Sequence, residues 1–328
     1  KGFAYVTPLA IYFDISQKED YTKLSGQKLE ENIIGAGHGS VDDTNRKRNP
    51  QDFAIWFFKA GEHKNALQTW EIVFNGIDQP TKEGFPGWHI ECSAMAKDTL
   101  GDTIDIHMGG VEHIPVHHTN EIAQSESANG KSFANYWLHH EHLLIDGGKM
   151  SKSLGNVYSI DDLEEKGYSA VDFRYFLLQA HYRSKQNFTF DALNSAKSAR
   201  KNLISKVAEL TEALNGDQDT LSGSDAGENY YEAFKKSLED DFNIPAALAV
   251  LWNLIKDDNV QKIKQLSLIK SFDTVLGLGL MADAQKSEKE NKLTDEIKEL
   301  IQKRNEARQK KDYKKADKIR DILAKEYN

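Results

Sequence analysis

The sequence predicts an α/β layer followed by an all-α bundle. Three observations carry this. Between residues 87 and 160, strand-like apolar runs ("TIDIHMGG", "HHEHLLIDGG") alternate with helical ones ("ECSAMAKDTL", "HTNEIAQSESANG"), as a parallel sheet with crossover helices requires. From about residue 161 the apolar residues recur near a 3.6 period to the end, the mark of amphipathic helices. Glycine pairs at 109–110 and 147–148 follow strand-like runs, where open α/β sheets bind ligands.

The elements follow in chain order. "FAYVTPLAIYFDI" reads as strand, Pro-bearing turn, strand. "NPQDFAIWFFKAGEHKN" carries Trp56, Phe57 and Phe58, an aromatic cluster best explained as core. The 87–160 alternation comes next. Beyond it "VDFRYFLLQAHY", "LNSAKSARKNLISKVAELTEAL", "IPAALAVLWNLIKD" and "TDEIKELIQKRNEARQKKDYKKADKIRDILAKE" read as helices. "NGDQDTLSGSDAGEN" (215–229) reads as a polar connector and "MADAQKSEKENK" (281–292) as a charged linker. The last segment is expected to fold as a helical hairpin. No internal repeat is visible.

Composition narrows the class. A chain of 328 residues is too long for one core, so two or three domains are expected. Hydrophobic residues at 39% and charged residues at 28% are the balance of a soluble globular protein. No apolar run is long enough to span a bilayer, and the opening "KGFAYVTPLAIYFDIS" alternates like a strand rather than a secretory signal. One cysteine excludes an internal disulfide framework and fits a reducing cytosol. A net charge of -9 argues against a generally basic nucleic-acid binder, though not against a local basic face.

Two constellations carry chemistry. In "IPVHHTNEIAQSES" (114–127), His117 and Glu121 stand one helical turn apart and can point at one ion, while His118 is expected to point elsewhere. The single thiol, Cys92, lies in "GWHIECSAMA". Cysteine, histidine and glutamate would make three of the four ligands that zinc takes. Against this, a free cysteine in an apolar run is usually a small buried hydrophobe, and HHxxxE is often a solvated face. Spacing alone favours that bland reading. No HExxH or HxxEH protease pattern occurs. The second constellation is "DGGKMSKSLGN" (146–156), where two lysines flank Met150 and Ser151. Such a loop can bring ammonium groups to a polyphosphate as charge develops. It is not a P-loop, since GxxxxGK[ST] is absent, and composition alone favours a solvated turn.

The strings themselves decide between these alternatives. "KMSKS" (149–153) resembles the second signature of class I aminoacyl-tRNA synthetases. "GWHIECSAM" (87–95), "DIHMGG" (105–110), "HHTNEIAQSE" (117–126) and "KMSKSLGN" together resemble the cysteinyl-tRNA synthetase family. The likeness continues through "YFDIS", "YTKLSGQ", "KRNPQDFAIW", "RYFLLQAHYRS" and "DDFNIPAALAVL", and so covers nearly the whole chain.

The resemblance implies a fold, a reaction and a site. The fold is a partial class I Rossmann-like nucleotide-binding domain followed by an all-α tRNA-binding bundle. It divides the chain into a connective insertion with the return to the catalytic domain (1–86), the C-terminal half of that domain with zinc site and lysine loop (87–160), a stem-contact junction (161–194), a helical tRNA-binding bundle (195–280), and a linker with a basic hairpin (281–328). The reaction is ATP-dependent activation of L-cysteine and its transfer to tRNA(Cys). The family's zinc ligands are two cysteines, a histidine and a glutamate; Cys92, His117 and Glu121 match three. The fourth, with a His-Ile-Gly-His-type ATP motif, is expected to precede Lys1, so the chain is expected to be truncated at its N-terminus and again at its extreme C-terminus. Trp88 and His107 are placed in the cysteine pocket. Gly109, Gly110, Glu112, Lys149 and Lys152 are placed on ATP, with the two lysines catalytic and Mg²⁺ accompanying the nucleotide. Arg304, Arg308, Lys310 and Lys311 are expected on tRNA. The protein is expected to be cytoplasmic and monomeric, without membrane contact.

The chain departs from the family at several points. It reads "HMGG" where "HGGG" is common, Glu112 where Asp is common, "PVHHTN" where "PHHEN" is common, and it carries the unusual insert "LQTWEIVFNGIDQPTKEGF". Two rival functions remain. An amino-sugar cysteine ligase would share the catalytic half but need no long helical arm. A non-catalytic tRNA-binding paralogue would not need an intact "KMSKS" or the zinc ligands.

Overall fold

The computed structural model describes residues 1–28, 47–216, 227–309 and 312–326. They form two compact units, Lys1–His142 and Leu143–Asn328.

The first unit opens with a five-stranded antiparallel sheet. Its strands are β1 (Ala4–Val6), β2 (Ala10–Phe13), β3 (Phe53–Phe58), β4 (Trp70–Glu71) and β5 (Glu83–Pro86), in the order β1-β2-β3-β5-β4. The expected strand-turn-strand is β1–β2, its turn closed by Thr7 N donating to the Ala10 carbonyl at 2.9 Å. β3 is central and reads as a continuous apolar run, as a strand covered on both faces must. Trp56 and Phe58 are buried in it, and Phe57 is half-buried, stacked on Phe85 at 5.1 Å. The aromatic cluster is core, as expected.

A strand-helix alternation follows: α1 (Trp88–Leu100), β6 (Ile104–Gly110), α2 (Thr119–Asn129) and β7 (Ala134–His140). β6 and β7 run parallel, in register from Ile104↔Ala134 to Gly110↔His140. This is the α/β layer expected from sequence. Ile104, Ile122 and Phe133 form its small core. α2 stops at Gly130, whose φ of 70° lies in the left-handed region that glycine adopts without strain.

The second unit begins with β8 (Leu143–Ile145) and β9 (Gly148–Lys149), joined later by β10 (Gln186–Phe188) in the order β10-β8-β9. β8 pairs with these strands, so the chain divides after His142 and the lysine loop belongs to the helical unit. From sequence, 87–160 is a single segment and 161 onward is helical throughout; β10 interrupts that helical run.

Among the described residues eight helices follow: α3 (Ile160–Glu165), α4 (Ala170–Leu178), α5 (Phe190–Gly216), α6 (Gly227–Glu239), α7 (Ile244–Lys256), α8 (Lys262–Leu276), α9 (Leu280–Gln309) and α10 (Tyr313–Glu326). Ser159 with Asp162, and Ser169 with Asp172, form reciprocal caps that satisfy the first amides of α3 and α4. α7 starts at Asn243, whose side chain accepts the Ala246 amide at 3.2 Å. The core is apolar and continuous, from Leu193 and Leu203 of α5 through Leu251 and Leu254 of α7 to Ile269 and Phe272 of α8. Phe272 stacks flat on Phe234 at 4.0 Å. Arg200, buried in α5, donates to the Leu278 carbonyl and pairs with Asp172 and Asp283, tying the start of α9 to α4.

The charged stretch 281–292 is not a linker: it lies inside α9. Charged residues such as Lys and Glu are good helix formers, and no glycine or proline breaks the run. The polar connector 215–229 is helical at both ends, in α5 and α6, and residues 217–226 lie outside the described set. The terminal hairpin is present as α9 and α10, packed through Ala307, Ala316 and Ile319. Among the described residues no helix is long and apolar enough to cross a membrane.

Candidate active site and metal centre

The first unit brings five of the expected residues together. α1 starts at Gly87, where any Cβ would collide with the Ala54 carbonyl, so only glycine lets the helix begin this close to β3. Trp88 is its first residue and Cys92 lies one turn further on the same face. Between β6 and α2 the chain forms a 3₁₀ turn (111–113) and a π turn (114–118) with Pro115 near its start. These present His117 on α1. The Trp88 and His117 rings lie 4.5 Å apart. Ligand atoms of Cys92, His117 and Glu121 all fall within 4.8 Å of one another.

His118 does not point elsewhere, as the spacing suggested. Its Nε2 is 3.8 Å from Glu121 Oε2, against 3.6 Å for His117 Nε2. Residues three and four before a helical position share its face, so His117 and His118 both reach the same carboxylate oxygen. His107, from β6, completes a second group with His118 and Glu121. Its Nε2 is 2.9 Å from Glu121 Oε2.

Glu121 is therefore the hub. Its side chain is 0% exposed, Oε2 faces three imidazoles, and Oε1 has no hydrogen-bond partner among the described residues. A buried carboxylate with an orphaned oxygen is costly. Around it the imidazoles pair: His89 Nδ1 with His117 Nδ1 at 3.0 Å, and His118 Nδ1 with His139 Nε2 at 2.7 Å. Burial pushes the pKa of His89 and of His118 down to about 3, because an imidazolium there would lose its hydration; burial lowers His117 too. Burial, then the Glu121 carboxylate, pushes the Cys92 thiol up.

The glycine pair ends β6. A Cβ at Gly109 would strike the His118 ring, and one at Gly110 would strike the Glu112 carboxylate. Glu112 lies in the 3₁₀ turn and is half exposed, 3.7 Å from His113.

Lys149 and Lys152 belong to the second unit. The turn between β8 and β9 is Asp146–Gly147, with φ of 49° and 77°. Both central residues are left-handed, as a two-residue hairpin turn demands. Asn156 closes the loop: its Oδ1 accepts the Ser151 amide at 2.8 Å and its Nδ2 donates to the Lys149 carbonyl at 3.1 Å. Gly155, φ 64°, ends the 3₁₀ turn Lys152–Leu154. Both lysines are exposed. On the terminal hairpin Arg304 is half-buried and Arg308 exposed, while Lys310 and Lys311 lie outside the described residues. Acids interleave there: Arg320 pairs with Asp317 and Asp321, and Lys303 with Glu299.

A thiol, an imidazole and a carboxylate converge on one point in the first unit, and the second unit carries an Asn-clamped KMSKS loop; both features have counterparts among known proteins. Residues 1–198 match the family of tRNA synthetases class I (C) catalytic domains, and residues 233–281 match the DALR domain. The cysteine–tRNA ligase of Treponema denticola is 40% identical over 98% of this chain, and that of Borrelia turicatae is 38% identical over 98%. The chain covers 67% of each relative. The chain belongs to the cysteine–tRNA ligase family. It spans about two thirds of the length of these relatives. A solved methionyl-tRNA synthetase of Mycobacterium tuberculosis, bound by methionyl-adenylate, overlaps 84% of this chain and 59% of its own, at 17% identity and a TM-score of 0.48. That likeness is too loose to add to the assignment.

Within this family member, sequence reasoning singled out the three donors but missed their surroundings. It does not pick out His89, His139 or Asn156, and it places His118 away from the donors. A signal for the histidines exists: eight of the 11 lie between 89 and 142, a density that a single ligand does not explain.

Proposed function

We propose that the protein activates L-cysteine with ATP and transfers it to tRNA(Cys). The observation that carries this is the convergence of Cys92, His117 and Glu121 ligand atoms within 4.8 Å. The donor set, one sulfur, one nitrogen and one carboxylate oxygen, suits zinc. The orphaned Glu121 Oε1 is the mark of a group that needs a cation, so the residues present fit the ion. A zinc ion held there supplies a Lewis acid that accepts a thiolate as ligand, a distinction between SH and OH that pocket size alone makes poorly.

The chain's own residues do the rest. Trp88, its ring 4.5 Å from that of His117, packs on the amino acid, and His107, 2.9 Å from Glu121 Oε2, lines the same pocket. The substrate carboxylate oxygen attacks the α-phosphorus of Mg·ATP, and the bond to pyrophosphate breaks. Lys149 and Lys152 meet the charge that develops on the leaving pyrophosphate. Gly109 and Gly110 let His118 and Glu112 pack against the end of β6, and Glu112, held there, accepts from the nucleotide ribose. In the second step a terminal ribose hydroxyl of the tRNA attacks the acyl carbon and AMP leaves. The α9–α10 hairpin, through Arg304, Arg308, Lys310 and Lys311, holds tRNA phosphates. The protein acts as a monomer in the cytoplasm. The DALR match on 233–281 supports a tRNA acceptor rather than an amino sugar.

The test is cysteine-dependent ATP–pyrophosphate exchange by the full protein and by Cys92→Ala. Exchange with cysteine that falls at least a hundredfold in the variant supports the reading. Equal exchange by both would end it.

A further inference from the structure

The mechanism above uses His117 but not the residue behind it. His89 is buried at 6% exposure on α1, and its Nδ1 faces His117 Nδ1 at 3.0 Å. Two imidazole nitrogens at that distance share one proton: one ring donates and the other accepts. If His89 donates, the His117 proton resides on Nε2, the atom that faces Glu121 at 3.6 Å, and that ring cannot ligate through it. If His117 donates, its Nε2 lone pair is free and faces Glu121 at 3.6 Å. Metal-bound histidines are held in this way, the non-ligating nitrogen donating to a fixed acceptor.

We propose that His89 is the positioning residue that fixes His117 in the tautomer able to bind a metal through Nε2. This rests on the metal reading given under the proposed function. The local packing is built for such a role. The His89 ring is held edge-on by Phe53 at 5.5 Å, and its backbone carbonyl accepts from Gln124 Nε2 at 2.6 Å. Gln124 Nε2 also donates to Ser93 Oγ at 2.7 Å, so α1 and α2 are tied together at the level of the histidine pair. The Trp88 ring lies 4.5 Å from that of His117 and 5.2 Å from that of His89, packing against the pair.

The experiment measures zinc affinity of the full protein by competition with a chromophoric chelator. His89→Leu keeps the bulk but removes the acceptor. His89→Asn restores one, because an Asn side-chain oxygen sits near the place of the imidazole Nδ1. The expected result is a 10- to 100-fold weaker zinc affinity for His89→Leu, in line with the loss of an outer-shell partner, and an affinity within about threefold of the original for His89→Asn. The cobalt-substituted protein gives a second readout, with visible bands altered in His89→Leu and kept in His89→Asn. Zinc bound equally tightly by all three proteins would overturn the proposal while leaving the metal reading intact. Loss in His89→Asn as large as in His89→Leu would overturn it also, since packing and not the hydrogen bond would then be at work. An original protein that binds no zinc would instead overturn the metal reading, and this inference with it.

Discussion

Acid should loosen the metal-stripped protein well before its carboxylates titrate. His89 and His118 have pKa values of about 3 in the fold, against 6.5 for an unburied imidazole. The folded state holds them neutral, so between pH 6.5 and 3 the unfolded chain binds more protons and stability falls as pH falls. The contribution is fully present above pH 6.5. At pH 5 each group has lost about 2 kcal/mol, so the pair removes about 4 kcal/mol. His117, lowered in the same direction, adds to the loss. Asp14 and Asp20 are held below the usual carboxylate range, and their contributions survive until lower pH. Four of the five tryptophans lie in the first unit, so their fluorescence follows its urea unfolding at pH 8 and pH 5. His118→Gln should remove about half of the difference. Equal stability at the two pH values, or an unaltered pH slope in His118→Gln, would mean that these imidazoles are not held neutral by the fold.

Three further outcomes are expected. Lys152→Ala should slow pyrophosphate exchange by about a hundredfold or more with the cysteine dissociation constant unchanged, since a lysine that meets charge in the transition state acts on rate; equilibrium binding and exchange assays separate the two. Reversing Arg304 and Arg308 to glutamate should weaken tRNA binding and flatten its salt dependence without altering exchange, read from filter binding across a salt series. Arg200→Ala should cost about 3–5 kcal/mol in urea unfolding, because it leaves the buried Asp172 carboxylate without its partner.

Much of this was legible in the sequence because it is local. The α/β alternation, the "FAYVTPLAIYFDI" hairpin and the final helix pair follow from apolar period and turn residues within a dozen positions. The Cys92–His117–Glu121 group was legible in part, since i, i+4 spacing fixes one pair and the lone thiol suggests the third. What was hidden depends on departures from regular geometry or on distant pairing. Both His117 and His118 reach Glu121 from the π turn at 114–118, where the sequence reading takes only the i, i+4 pair as facing the ion. β8 pairs with β10 some 40 residues later, which moves the lysine loop into the helical unit. The 281–292 stretch looked like a linker because charge was read as solvation, whereas lysine and glutamate extend a helix well. His89 was passed over because its partner lies 28 residues away.

If Cys92, His117 and Glu121 hold a metal that takes the substrate thiol, X-ray absorption at the zinc edge of the full protein registers the thiol. With cysteine added, the sulfur count at zinc should rise by one, at about 2.3 Å, and serine should leave the spectrum unchanged. A zinc environment that is the same with cysteine, with serine and with neither would mean that the metal does not take the thiol.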